Sequence, residues 1–144
     1  MSEKVVSFMN ERIDLNTIVR VWIEKAEADH RAVRLLMASG KDCPADIVCF
    51  HAQQCVEKYL KALLCVKGVD FPKIHDIGEL VSLLPKGIPA ALAEKDQEQL
   101  TEYAVDSRYP RHARDISFSE AAEAVKIMDN ARAAVRSALP KDIL

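Results

Sequence analysis

Three guanidiniums, an imidazole and a phenol stand within the short stretch Arg108-Tyr109-Pro110-Arg111-His112-Ala113-Arg114. An arginine presents a planar fork that matches two phosphate oxygens, and a tyrosine ring can stack on a base, so the stretch has the composition of a phosphate or nucleotide site. The plain alternative is an exposed basic loop that binds nothing.

Two further groups could support such a site. His75 is expected at a helix start, where an imidazole either reaches a substrate or serves as a cap, whereas His30 and His51 read as helical. Asp29 interrupts the apolar stripe Trp22, Ala26, Val33, Leu36 and Met37. A carboxylate in such a stripe needs a cation or hydrogen-bond donors from another helix, and Arg108, His75 and Lys58 are the candidates. It is either a buried structural pair, a partly exposed carboxylate, or the group that orients a functional base or cation. On a wheel of ~100° per residue, His51, Gln54, Glu57, Lys58 and Lys61 share an arc of roughly 120°, interrupted by Ile47, Phe50 and Cys65. That stripe reads as a solvated face with a Glu57–Lys61 pair, or as the lining of a cleft or subunit interface. The opposite face, Val48, Ala52, Cys55, Val56, Tyr59, Leu60, Ala62, Leu63 and Val66, reads as core. Cys43, Cys49, Cys55 and Cys65 show no C-x-x-C spacing, so they read as small core or near-surface residues, and neither metal nor cofactor is expected.

The elements that must position these groups are helices. Glycine and proline punctuate long periodic segments, and no stretch alternates as a strand would. One helix is expected from about Asn16 to Ser39, with Gly40 as a left-handed stop. A second should open at Pro44 and end at Gly68. Val69 to Ile74, with Phe71-Pro72, reads as a loop, followed by a short helix from His75 to Pro85 in which Asp76 and Glu79 have the spacing of a capping box. A fourth helix should follow Pro89 and run to about Ser107, where Tyr109-Pro110 breaks it. Ser117 and Glu120 repeat the start signal for a last helix to about Leu139, before Pro140.

The chain has 144 residues, 49% of them hydrophobic and 29% charged, which is enough apolar material for one domain over 1–144 with its core at about 16–139. A net charge of −2 provides no global basic field, so any nucleic acid must be held by a local patch. The first residues lack the apolar run of a signal peptide, and no segment approaches the ~20 apolar residues of a membrane span, so a cytoplasmic location without membrane contact is expected.

Several of these motifs come in a recognisable order. Trp22-x-x-x-Ala26-x-x-Asp29, then Gln54-x-x-Glu57-Lys58-x-x-Lys61-Ala62-Leu63-Leu64, then His75-Asp76 with Leu80, then Tyr103 and Arg108-Tyr109-Pro110 resemble the HEPN family across roughly Trp22 to Val135. The resemblance implies an all-α fold, an antiparallel four-helix up-and-down bundle with an additional short helix, usually a homodimer. It also implies a minimal nucleotidyltransferase as partner in a toxin–antitoxin-like module, with RNA or a nucleotide as ligand. The residues it marks are Arg108, Tyr109, Arg111, Lys58, Lys61 and His75 for binding, with Asp29, Gln54 and Glu57 in support. Some relatives are metal-independent endoribonucleases that carry Arg, four to six residues, then His, and that resemblance would make His112 the base for the ribose 2′-hydroxyl proton and Arg108 the clamp on the charged phosphate. Here three residues separate Arg108 from His112, which suits the Arg-Tyr-Pro branch of the family better than the nucleases. A third possibility is an interaction module in which Arg108 pairs with Asp29 only to hold the bundle together.

Overall fold

A computed structural model describes residues 14–106 and 114–144, and among these residues the chain is all-helical, without strands. The helices are α1 (Leu15–Met37), α2 (Ala45–Val66), the short α3 (Ile77–Ser82), α4 (Glu94–Asp106) and α5 (Phe118–Ala138), with a 3-10 turn at Gly40–Asp42 between α1 and α2.

The ends follow local chemistry. Asp14, rather than Asn16, starts α1, its carboxylate accepting the Asn16 N–H at 3.4 Å. Gly40 and Gly68 adopt φ of +63° and +68°, the left-handed stops that glycine takes without a Cβ clash. Pro44 sits one position before α2, as its N-cap. Asp76 caps α3 by accepting the Glu79 N–H at 2.9 Å, which leaves His75 just ahead of the helix instead of inside it. At α5, Ser117 accepts the Glu120 N–H at 3.0 Å, yet the Glu120 carboxylate does not return to the cap. It turns to Tyr103 and Arg114. The largest displacement is at α4, which begins at Glu94 and not near Pro89, because Ala91 takes a φ of +55° that no helix accommodates and Glu94 and Asp96 supply the acidic first turn.

Side-chain pairs set the directions. Lys61 lies over the Trp22 ring, Tyr59 reaches Glu27 and Lys58 reaches Asp29, so α2 runs antiparallel to α1. Arg132 meets Glu27 while Asp129 meets His30 and Arg34, so α5 is also antiparallel to α1. Tyr103 near the end of α4 meets Glu120 near the start of α5. The result is an up-and-down four-helix bundle, with α3 as the added short helix. Central to it, α2 packs against α1, α3, α4 and α5.

Its predicted core face is buried throughout, apart from the half-buried Val66. Each such leucine contributes about 1.5–3 kcal/mol relative to an exposed one. The expectation of a solvated opposite face is corrected for Glu57 and Lys61, while His51, Gln54 and Lys58 stay half-buried. Glu57 and Lys61 are each only 3% exposed, because the loop after α2 folds Phe71 back against Trp22 and the two rings cover the lysine. No helix among the described residues is long and apolar enough to cross a membrane.

Candidate functional site

The polar stripe of α2 carries two carboxylate-centred clusters. In the first, Asp29 is 7% exposed, and both of its oxygens are engaged by α2. Lys58 Nζ donates to Oδ2 at 2.5 Å, and His51 Nδ1 lies 2.8 Å from Oδ1. An ionised carboxylate only accepts hydrogen bonds, so Nδ1 carries a proton, and in the neutral form of the ring Nε2 is the nitrogen with the lone pair. The lysine and histidine side chains remain 21% and 31% accessible, so the cluster is anchored inside and ends at the surface. Lys58 is the partner of Asp29 that the sequence leads one to expect. His75 is not a partner, and Arg108 falls outside the described residues. The helical wheel places His51 on the same arc of α2 as Lys58, but sequence reasoning does not single it out as a partner of Asp29.

In the second cluster, Glu57 Oε1 accepts from His75 Nδ1 at 2.9 Å and from Gln53 Nε2 at 3.1 Å, while Oε2 accepts from Lys61 Nζ at 3.3 Å. Gln53 also donates to the His75 carbonyl at 3.3 Å, and Gln54 donates to Gln53 Oε1 at 2.6 Å. Lys61 thus points inward, beneath Trp22 and Phe71, while the imidazole of His75 remains the accessible member. Sequence spacing marks Glu57 and Lys61 as partners. Gln53 stands at the same i, i+4 spacing from Glu57, whereas His75 is a tertiary addition that spacing does not reveal.

A third carboxylate, Glu27, belongs to the frame. Arg132 holds it with two hydrogen bonds of 2.7 Å, the Tyr59 hydroxyl donates to it at 2.6 Å, and Arg136 donates to that hydroxyl at 2.9 Å. The Arg132 fork pulls the Glu27 carboxyl down to about 2, against a smaller upward push from burial. Burial, then the bond to Glu27, raises the Tyr59 phenol to about 12.

Arg108, Tyr109, Arg111 and His112 lie outside the described residues, but the chain on either side of them is placed. Tyr103, near the end of α4, donates to Glu120 at 2.8 Å and accepts from Gln99 at 2.8 Å. Arg114 grips the same carboxylate at 2.8 and 2.6 Å, and this fork is the main cause that lowers Glu120 to about 2. Tyr103 and Arg114, which flank the segment in the chain, thus meet on one carboxylate at the start of α5. A cavity of about 380 Å³ between α3 and α4 is lined by Asp76, Gly78, Glu94, Gln97, Glu98 and Thr101. Its three carboxylates would repel a phosphate, and among the described residues none of the expected binding residues lines it. Among the described residues no group of three His, Cys, Asp or Glu side chains is placed to hold a metal ion.

Known proteins resemble this chain in sequence and in fold. The family model described as HEPN domain matches residues 19–138. The crystal structure of TT1696 from Thermus thermophilus is similar with a TM-score of 0.69 and 26% identity, covering 84% of this chain and 98% of that one. No curated protein matches the chain.

Proposed function

The chain belongs to the HEPN domain family, and from that premise we propose that it binds the phosphate of a nucleotide or RNA and works beside a minimal nucleotidyltransferase in a toxin–antitoxin-like pair. Arg108, Tyr109 and Arg111 are the principal ligand contacts in this reading, with Lys58 and His75 at its edge. Lys61, Glu57, Gln54 and Asp29 hold those edge groups in place. The observation that carries it is Lys58 on the half-open stripe of α2, a cation anchored to a buried carboxylate while its side chain stays 21% accessible. A cation fixed in this way loses little further freedom when it takes a phosphate.

The interaction-module reading is weakened, since both oxygens of Asp29 are satisfied by Lys58 and His51 and no arginine is needed there. The nuclease reading, with His112 as base, rests on a spacing shorter than the family's nuclease pattern.

Fluorescence anisotropy with a labelled oligoribonucleotide tests the proposal. Arg108→Ala should weaken binding about tenfold and reduce its salt dependence by about one phosphate contact. Unchanged binding to both RNA and a nucleotidyltransferase would overturn it. The homodimer belongs to the same reading and is supported by Ile47, Val105 and Phe118, large apolar side chains 39%, 48% and 47% exposed at the α2 start, α4 end and α5 start. Phe118→Glu should shift the sedimenting species from dimer to monomer. A wild-type protein that sediments as a monomer would remove the dimer from the proposal.

A further inference from the structure

His51 adds a specificity that the arginine-rich segment cannot supply. A guanidinium reads phosphate, and phosphate is common to RNA and DNA. What separates the two is the ribose 2′-hydroxyl, which both donates and accepts. The Asp29 carboxylate holds a proton of His51 on Nδ1, 2.8 Å away, so that in its neutral form the ring offers a lone pair at Nε2. That nitrogen has no hydrogen-bond partner among the described residues, and its side chain is 31% accessible. An ionised phosphate oxygen cannot donate to a lone pair. A sugar hydroxyl can.

The charge balance supports a use beyond stability. Lys58 alone neutralises Asp29, from 2.5 Å, so the buried carboxylate does not require the imidazole as a counter-charge. What the second bond accomplishes is to fix the tautomer and the direction of the ring, as a carboxylate commonly does for a working imidazole. On the same carboxylate, Lys58 keeps two further N–H donors for a phosphate oxygen. One anchor thus presents a phosphate donor and a hydroxyl acceptor side by side, which is the pairing found on a ribonucleotide.

We propose that His51 accepts a hydrogen bond at Nε2 from a ribose 2′-hydroxyl while Lys58 contacts the neighbouring phosphate, and that Asp29 is the positioning residue that makes this site prefer ribonucleotides. The inference rests on the phosphate-binding reading above and adds the sugar to it.

The test compares a short oligouridylate with the matching oligodeoxyuridylate on the full chain, with 5′-UMP and 5′-dUMP as the mononucleotide pair. Wild-type protein should bind the ribo form about fivefold more tightly, the worth of one neutral hydrogen bond. In His51→Leu the two forms should bind equally, at the affinity wild type shows for the deoxy form. Ring-nitrogen NMR of the wild type keeps the question open to refutation should that variant fold poorly. His51 should appear as the Nδ1–H tautomer, and its Nε2 resonance should move with oligouridylate and stay fixed with oligodeoxyuridylate. Asp29→Asn should mix the tautomers and shrink the ribose preference.

A ribose preference that survives in His51→Leu overturns the inference, as does an Nε2–H tautomer in the free protein. If Arg108→Ala weakens both forms alike and leaves their ratio intact, both readings stand. Should Arg108→Ala bind normally while His51→Leu loses the ratio, the arginine-centred reading falls and the ribose contact stands. Wild-type protein that binds none of the four probes removes both.

Discussion

Glu27 and Asp29 lie two residues apart on α1, about 200° around the helix, and each is met by α2 and by more than one donor. Their partners differ in what they leave over. Glu27 meets Arg132, whose rigid fork spends two N–H groups on it, and Tyr59, whose hydroxyl is itself bonded to Arg136. Asp29 meets Lys58 and His51, each attached by one atom and each retaining hydrogen-bonding capacity on the solvent side. Glu57 resembles Glu27 in this respect, since it is enclosed with Lys61 and Gln53, though one accessible member, His75, reaches out from it. A carboxylate surrounded by spent donors ties helices together. One surrounded by unspent donors presents them.

The largest effect should come from opening the most enclosed pair. Lys61→Ala leaves the Glu57 charge in a site where its side chain is only 4% exposed. The expected loss is about 3 kcal/mol, or a fall in Tm of roughly 10 °C, measured by urea and thermal denaturation. Replacing both partners, as Lys61→Met with Glu57→Leu, should recover most of it, because the charge is then gone as well as its partner. If Lys61→Ala unfolds no more easily than wild type, Glu57 is not a closed carboxylate and its contrast with Asp29 disappears.

Next in size is the α1–α5 tie. Glu27→Gln keeps the shape but removes the charge held by the Arg132 fork, and about 2 kcal/mol should be lost near neutral pH. The pH dependence carries a sign. Glu27 has a carboxyl lowered from 4.5 to about 2, chiefly by Arg132, so its contribution is fully present above 4.5 and fades as the pH falls towards 2. Stability curves of wild type and Glu27→Gln should therefore converge on acidification through that window. Parallel curves would show that the carboxylate is not bound more tightly in the folded state.

The bundle is legible in the sequence because helix stops and caps are written locally. Gly40, Gly68, Asp76 and Ser117 each act within a few residues of themselves. The start of α4 is misplaced because Pro89 suits a first turn, while the left-handed Ala91 that delays the helix carries no sequence mark. For the site, the need of Asp29 for partners is legible, since a carboxylate in an apolar stripe must be compensated. The identity of one partner is not, because His51 and Asp29 meet only when α1 and α2 pack. The same reason explains Glu57 and Lys61. A helical wheel ranks residues by polarity, and it cannot know that Phe71, from beyond the end of α2, will close over them with Trp22. Arg108, Tyr109, Arg111 and His112 are the most conspicuous residues in the sequence and fall outside those the structure describes.

The smallest effect is the most discriminating. His51→Leu removes one of two partners from a carboxylate that is itself buried, which taken alone would suggest a severe loss. Two features reduce it. Lys58 continues to balance the charge from 2.5 Å. Because the His51 side chain is 31% accessible, water can reach the vacated oxygen and replace the lost bond at little cost. The expected change is below about 1 kcal/mol, a fraction of that for Lys61→Ala. A loss matching that of Lys61→Ala would place His51 among the spent donors, and Asp29 would then be a structural tie like Glu27. A small loss leaves an imidazole whose orientation is maintained for something other than the stability of the bundle.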